Sequence, residues 1–139
     1  SVVIFGKAKS LNKIIDKPVG IDLILSYKRA SNILVNELKA KNFELSNTTD
    51  PGIFRTEFEK NLFKKINELR KYFQNINKDE NFEQSLEHLA ESKKIVFEFF
   101  DNVIVNDEEQ TIKKNRLELI QMLCKTFDNY VNFSQIDSH

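Results

Sequence analysis

Glycine, proline, cysteine and tryptophan are scarce in this 139-residue chain, which holds three, two, one and none of them. So little glycine and proline leaves few tight turns, which excludes a many-stranded sandwich or barrel and favours helices. The single cysteine, Cys124, allows no internal disulfide, and with two histidines, His88 and His139, one chain cannot assemble a Cys/His zinc cage. A reducing compartment, the cytoplasm, is the expected location, and no metal is expected. The one uninterrupted apolar run of four, residues 2–5, falls far short of the ~20 residues that cross a bilayer. No signal peptide is visible, so a membrane is not an expected partner. The chain opens with Ser1 and its only methionine is Met122, which leads to the expectation of a piece of a longer protein carrying a part-function.

What is present is lysine, asparagine and phenylalanine: 17, 15 and 12 residues without a repeat. The length suits one domain whose core buries roughly 68–70% of the surface of an unfolded chain. Net charge is zero but unevenly placed. Residues 1–48 carry eight Lys/Arg against four Asp/Glu, net +4, and residues 49–139 carry thirteen against seventeen, net −4. A neutral total argues against nonspecific coating of DNA, which is not an expected partner, and leaves room for a local, shape-specific contact.

The hydrophobic pattern has the period of helices. Residues 1–17 read as the tail of a preceding segment or a short N-terminal helix over 3–15, closed by a turn at Lys17-Pro18-Val19-Gly20. From Ile21 to Leu38, the positions Leu23, Tyr27, Ala30, Leu34 and Leu38 form one helical face, with Lys28, Asn32, Asn36 and Lys39 opposite. After a loop over 42–52, Thr56 with Glu59 has the form of a capping box. It opens a helix carried by Phe58, Leu62, Ile66, Leu69, Phe73 and Ile76 to about Asn77. Asn81 with Gln84 starts a further helix to about Ala90. Ser92 then caps another, carried by Ile95, Val96, Phe99, Phe100 and Val103, unless the two are one kinked helix. Asp107 with Gln110 starts the last, which runs through Ile112, Ile120, Leu123, Phe127 and Val131 to near Asn132. The expectation is all-α, a single bundle of five to six helices over 18–139.

No catalytic constellation emerges. The three glycines are isolated, so no phosphate loop exists, and neither histidine lies in a nucleophile or metal motif. His88 reads as a surface or half-buried residue and Cys124 as a core thiol. Glu57, Glu59, Glu108 and Glu109 read as helix-start electrostatics. The basic and amide side chains carry more. Lys28, Arg29, Asn32, Asn36 and Lys39 lie on one helix, and Lys113, Lys114, Asn115 and Arg116 are consecutive on the last. Lysine and arginine neutralise phosphates. Asparagine and arginine reach the edges of unstacked bases in an RNA loop, with Tyr27 or Tyr130 as stacking platforms. The competing reading is a charged face that is merely solvated.

Several separated strings add a resemblance. Leu25-Ser26-Tyr27-Lys28-Arg29-Ala30-Ser31-Asn32-Ile33-Leu34 resembles a signature near the C-terminus of the β subunit of the two-subunit bacterial glycyl-tRNA synthetases. Phe99-Phe100-Asp101-Asn102-Val103 and then Lys114-Asn115-Arg116-Leu117 are similar to a second signature of that family. Glu57-Phe58-Glu59 and Val131-Asn132-Phe133-Ser134 match in order over about residues 20–136. The resemblance implies a DALR-like helical anticodon-binding domain. It also implies that glycine activation with ATP occurs on a separate α subunit, with no cofactor in this domain and glycine tRNA as its partner beside the α subunit and the remaining β-subunit domains.

Two departures from that pattern stand out. Ile112-Lys113 replaces the family's Leu-Arg, so a guanidinium fork becomes a point charge. Val131-Asn132 replaces Ala-Asp. Asn32 and Arg116 match motif positions, yet an arginine at such a place can equally pin a neighbouring helix by an ion pair. Leu34, Phe99, Phe100, Leu117 and Leu119 match as core. The tRNA-binding set expected is therefore Lys28, Arg29, Asn32, Asn36, Lys39, Lys113, Lys114, Asn115 and Arg116, two stretches forming one cationic ledge. The alternatives are a helical protein–protein interaction module, suggested by Phe97 lying off the Phe99/Phe100 face, and an anticodon domain of another DALR-type synthetase.

Overall fold

The computed structural model describes residues 18–41, 44–46, 48–75 and 82–128. Among them are four α-helices and no strand: α1 (Pro18–Lys41), α2 (Glu57–Asn75), α3 (Phe82–Asn102) and α4 (Gln110–Asp128), with a 3-10 turn at Pro51–Ile53. The all-α expectation holds, with four helices in place of five or six. The short helix expected over 3–15 lies outside the described residues, as do Ile76, Tyr130, Val131, Asn132 and His139.

The turn expected at Lys17–Gly20 gives way to helix, and α1 begins on Pro18 itself. First-turn N–H groups have no partner within a helix, so proline loses nothing there and its fixed φ suits the start. Leu23 and Ala30 of the expected face are buried, while Tyr27, Leu34 and Leu38 are partly covered. The start of α2 is a capping box. Glu59 N donates to Thr56 Oγ1 at 3.2 Å, and Thr56 N donates to Glu59 Oε1 at 3.1 Å. Leu62, Ile66, Leu69 and Phe73 follow as its buried stripe.

The two helices expected on either side of Ser92 are one. Ser92 does not cap. Its hydroxyl donates back to the His88 carbonyl at 2.8 Å, and the residue is fully buried. The buried seam Leu89, Ser92, Val96, Phe99 and Val103 runs through it at alternating spacings of three and four, which keeps one continuous face on the core. Asp107, expected to cap the last helix, sits in the bend before it: its Oδ1 accepts from Glu109 N at 2.9 Å, and the first helical bond runs from Lys113 N to the Glu109 carbonyl at 3.0 Å, so the helix starts two residues further on.

α1 packs on α3 and α4, and α2 packs on the same two. α1 and α2 therefore sit across the bundle from one another. The core is rich in phenylalanine: Phe73 meets Phe127 with ring centroids 6.3 Å apart, and Phe99 meets Phe100 at 5.4 Å, both edge to face. Lys65 ties α2 to α3 through Glu91 at 2.8 Å. Burial opposes its charge, but the bonds to Glu91 and Glu68 outweigh that and raise its pKa. α4 is the most enclosed element. Leu117, Leu119, Ile120 and Leu123 point in several directions and all are buried, because α1, α2 and the segment before α2 surround it. Among the described residues no helix is long and apolar enough to cross a membrane.

Candidate functional site

The segment leading into α2 is fastened to α4 by polar side chains. Asn115 Oδ1 accepts from Thr49 Oγ1 and from Asp50 N, each at 2.7 Å, and its Nδ2 donates to Asp50 O at 3.1 Å. One amide thus serves both backbone groups of Asp50, as a paired strand would. Glu118 adds a second tether, accepting from Ser46 N at 3.0 Å and from the Ser46 hydroxyl. Between this segment and the first turns of α4 lies a cleft of about 450 Å3, walled by Thr48, Asp50, Ile53, Gln110, Thr111 and Lys114.

Three of the nine expected contact residues are committed to the fold. Asn115 is 3% exposed and holds the Thr49–Asp50 segment. Arg116 is 5% exposed. Its Nη2 donates to Glu59 Oε1 at 3.1 Å and its Nη1 to the Ile104 carbonyl at 2.6 Å and to Asp107 Oδ2 at 3.4 Å. Of the two readings left open for this arginine, the structure places it in the ion pair. Lys113 is 2% exposed, with Nζ 2.7 Å from Glu37 Oε2. Lys114, one residue along, is exposed on the cleft.

The expected joint ledge is corrected by this placement. Glu37, which receives Lys113, is nine residues from Lys28, and at 3.6 residues per turn the two lie about 180° apart on α1. Lys113 therefore approaches α1 from the side opposite Lys28, and the two basic stretches do not form one surface.

On α1 itself Arg29, Asn32, Asn36 and Lys39 are exposed and Lys28 is half-buried. This helix has two acidic residues, and both are engaged by lysines of neighbouring helices. Asp22 Oδ2 is 2.7 Å from Lys93 Nζ of α3, and Glu37 is held by Lys113 of α4. The outward face is left with Lys28, Arg29 and Lys39 and two amides. Ile21, Leu25 and Val35 also lie on it, 48%, 58% and 46% exposed. Reading that face as purely polar missed them. The spacing 21, 25, 28, 32, 35, 39 carries the signal, because steps of four and three return to one line along a helix.

Nothing among the described side chains is poised for covalent chemistry. Burial pushes the Cys124 thiol up to about 12, with the Asp128 carboxylate adding to it, so no thiolate forms near neutrality. His88 stacks on Tyr72 with centroids 4.2 Å apart, and among the described residues no group of three His, Cys, Asp or Glu could hold a metal.

Residues 23–137 match the family model described as the DALR anticodon binding domain. The glycine–tRNA ligase β subunit of Rickettsia prowazekii (strain Madrid E) is 32% identical over 130 residues, covering 94% of this chain and 19% of that protein. The β subunits of Rickettsia typhi (strain ATCC VR-144 / Wilmington), at 32%, and of Rickettsia bellii (strain OSU 85-389), at 34%, align over the same length. The chain spans about a fifth of the length of these curated relatives.

Proposed function

We infer the function from one premise: the chain belongs to the DALR anticodon binding domain family. It binds the anticodon arm of glycine tRNA as part of a glycine–tRNA ligase β subunit, holding the tRNA while aminoacylation proceeds elsewhere. The observation that carries the reading is the outward face of α1, where both acids of the helix are drawn off by Lys93 and Lys113, leaving Lys28, Arg29 and Lys39 beside Asn32 and Asn36 with no carboxylate of their own helix to pair with. Cations there neutralise phosphates, and the amides, each both donor and acceptor, reach base edges. Lys114 adds a charge over the cleft beside α4. Lys113, Asn115 and Arg116 act indirectly, by holding α1, the 49–50 segment and α2 in place.

Catalysis with ATP belongs to an α subunit of the parent enzyme, which is cytoplasmic, and the domain's other partners are the remaining β-subunit domains. DNA is not a ligand. A wrong base that leaves a buried donor unpaired costs about 1–3 kcal/mol per contact, enough for discrimination by a few contacts. Fluorescence anisotropy of the full-length protein with glycine tRNA and with an anticodon-swapped control tests this. Tighter binding of the glycine tRNA is expected, and equal or absent binding of both at low salt overturns it.

A further inference from the structure

The geometry points to a base-stacking subsite between α1 and α3: a groove that takes one unstacked nucleobase of an RNA strand, with Arg29 as one wall. This rests on the RNA-binding reading above and assigns to it a place and a base chemistry.

The groove measures about 270 Å3 and is lined by Leu25, Ser26, Arg29, Phe97, Phe100 and Asp101. That is below the roughly 300–1,000 Å3 of sites that engulf a drug-sized ligand, and it suits a single planar ring system. Arg29 lies with Cζ 4.7 Å from the centroid of the Phe100 ring. Phe100 is 9% exposed and braced edge to face by Phe99, so its ring gives the guanidinium a fixed cation–π partner. The arginine is nevertheless exposed, and among the described residues no carboxylate lies within ion-pair distance of it. A guanidinium fixed on one face and open on the other is a platform on which a base stacks.

The remaining walls agree. Phe97 and Leu25 are 38% and 58% exposed, unusual for large apolar side chains on opposing bundle helices, and both line the groove. The Ser26 hydroxyl is turned back to the Asp22 carbonyl at 3.0 Å. Asp101, exposed at the rim, repels a phosphate but accepts a hydrogen bond from an exocyclic amino group. The slot therefore favours cytosine, adenine or guanine over uracil, while the backbone of the strand passes along Lys28, Asn32 and Asn36.

The test uses the full-length protein with its α subunit and glycine tRNAs carrying 2-aminopurine at successive unpaired positions of the anticodon arm. Arg29→Lys keeps the charge and loses the plane, and Phe97→Ala removes the exposed ring. Both sites are solvent-exposed, and a thermal melt checks that the variants stay folded. Arg29→Lys is expected to weaken binding about 5- to 100-fold at every salt concentration with an unchanged salt slope, whereas Lys28→Ala lowers that slope. One 2-aminopurine position should lose its binding-induced change in Arg29→Lys, and Asp101→Asn should narrow the preference against uracil there. The groove assignment is overturned if Arg29→Lys binds as the unmodified protein does, if no position responds to it, or if it weakens α-subunit association and leaves tRNA binding intact. If the unmodified protein does not bind tRNA at all, the RNA-binding reading fails with it.

Discussion

Arg116 Nη2 sits 3.1 Å from Glu59 Oε1, with both side chains withdrawn from solvent. The same carboxylate oxygen accepts from Arg55 N, Thr56 N and the Thr56 hydroxyl, so one atom closes the cap of α2 and anchors the middle of α4. The guanidinium also binds the Ile104 carbonyl and Asp107, which ties down the segment between α3 and α4. A residue that matches a family signature thus serves the surface only through the scaffold. It fixes where α2, α4 and the intervening segment meet.

Removing Arg116 leaves the Glu59 carboxylate buried without a cation, and removing Glu59 leaves the buried guanidinium only Asp107, at 3.4 Å. Glu59→Ala or Arg116→Ala is expected to cost about 3–5 kcal/mol, read as a shift in a urea unfolding midpoint. Replacing both together with Leu and Met should cost much less than the two single changes summed, because no charge is then stranded. A double variant as unstable as the sum would show that the pair is not coupled.

Asn115 makes a second, separable prediction. Asn115→Ala leaves the N–H and C=O of Asp50 without their protein partners, a loss of about 1–3 kcal/mol. Asn115→Asp keeps the acceptor but sets a carboxylate against the Asp50 carbonyl, so it should fail to rescue. Amide exchange at Asp50 checks both variants, and it should quicken in each before global unfolding does.

These two residues also mark where sequence reading stopped. Local signals were legible: the Thr56–Glu59 box, the α2 stripe and the buried phenylalanines depend on spacing within a few turns. Ser92 was ambiguous because a serine hydroxyl caps a new helix or bonds back within an old one with equal ease, and the unbroken seam from Leu89 to Val103 settled it. The burial of Asn115 and Arg116 depends on a segment some sixty residues earlier folding over α4, and that of Lys113 on α1 packing against it, neither of which local periodicity encodes. A trace existed in Leu117, Leu119, Ile120, Met122 and Leu123, which leave α4 without a clear polar side, as expected of a helix enclosed all round. On α1 the exposed cations and amides were readable, whereas the pairing of Asp22 and Glu37 with other helices was not.

The Cys124 thiol sets an alkaline limit. Its folded pKa, about 12, lies above its ordinary value of 9.0, and burial also raises the Tyr27 phenol, which donates to Asp128. Below the ordinary value both states hold the proton and stability does not vary with this group. Above it the unfolded chain releases the proton and the folded one keeps it, so stability falls by up to about 1.4 kcal/mol per pH unit between roughly 9 and 12. Cys124→Ala should flatten that part of a stability–pH curve, and iodoacetamide should label the native protein no faster than it unfolds.

Lys113 and Lys114 are chemically identical neighbours with opposite expected phenotypes. Lys113 is enclosed, its ammonium on Glu37, so Lys113→Ala removes a charged hydrogen bond between α4 and α1 and should lower stability by about 1.5–3 kcal/mol. With α1 loosened, tRNA affinity should fall only to the extent that the fold does, and stabilising salts should restore it. Lys114 is exposed at the cleft, and Lys114→Ala should change stability by no more than about 0.5 kcal/mol. If it meets a phosphate, each lost contact reduces the slope of log affinity against log salt by about 0.7–0.9, a change no folding defect produces. Titrations of both variants at several salt concentrations, alongside unfolding curves, separate the two roles. A Lys113 variant that alters the salt slope with stability intact would return that residue to the binding surface and remove the distinction between the buried and exposed halves of the basic stretch.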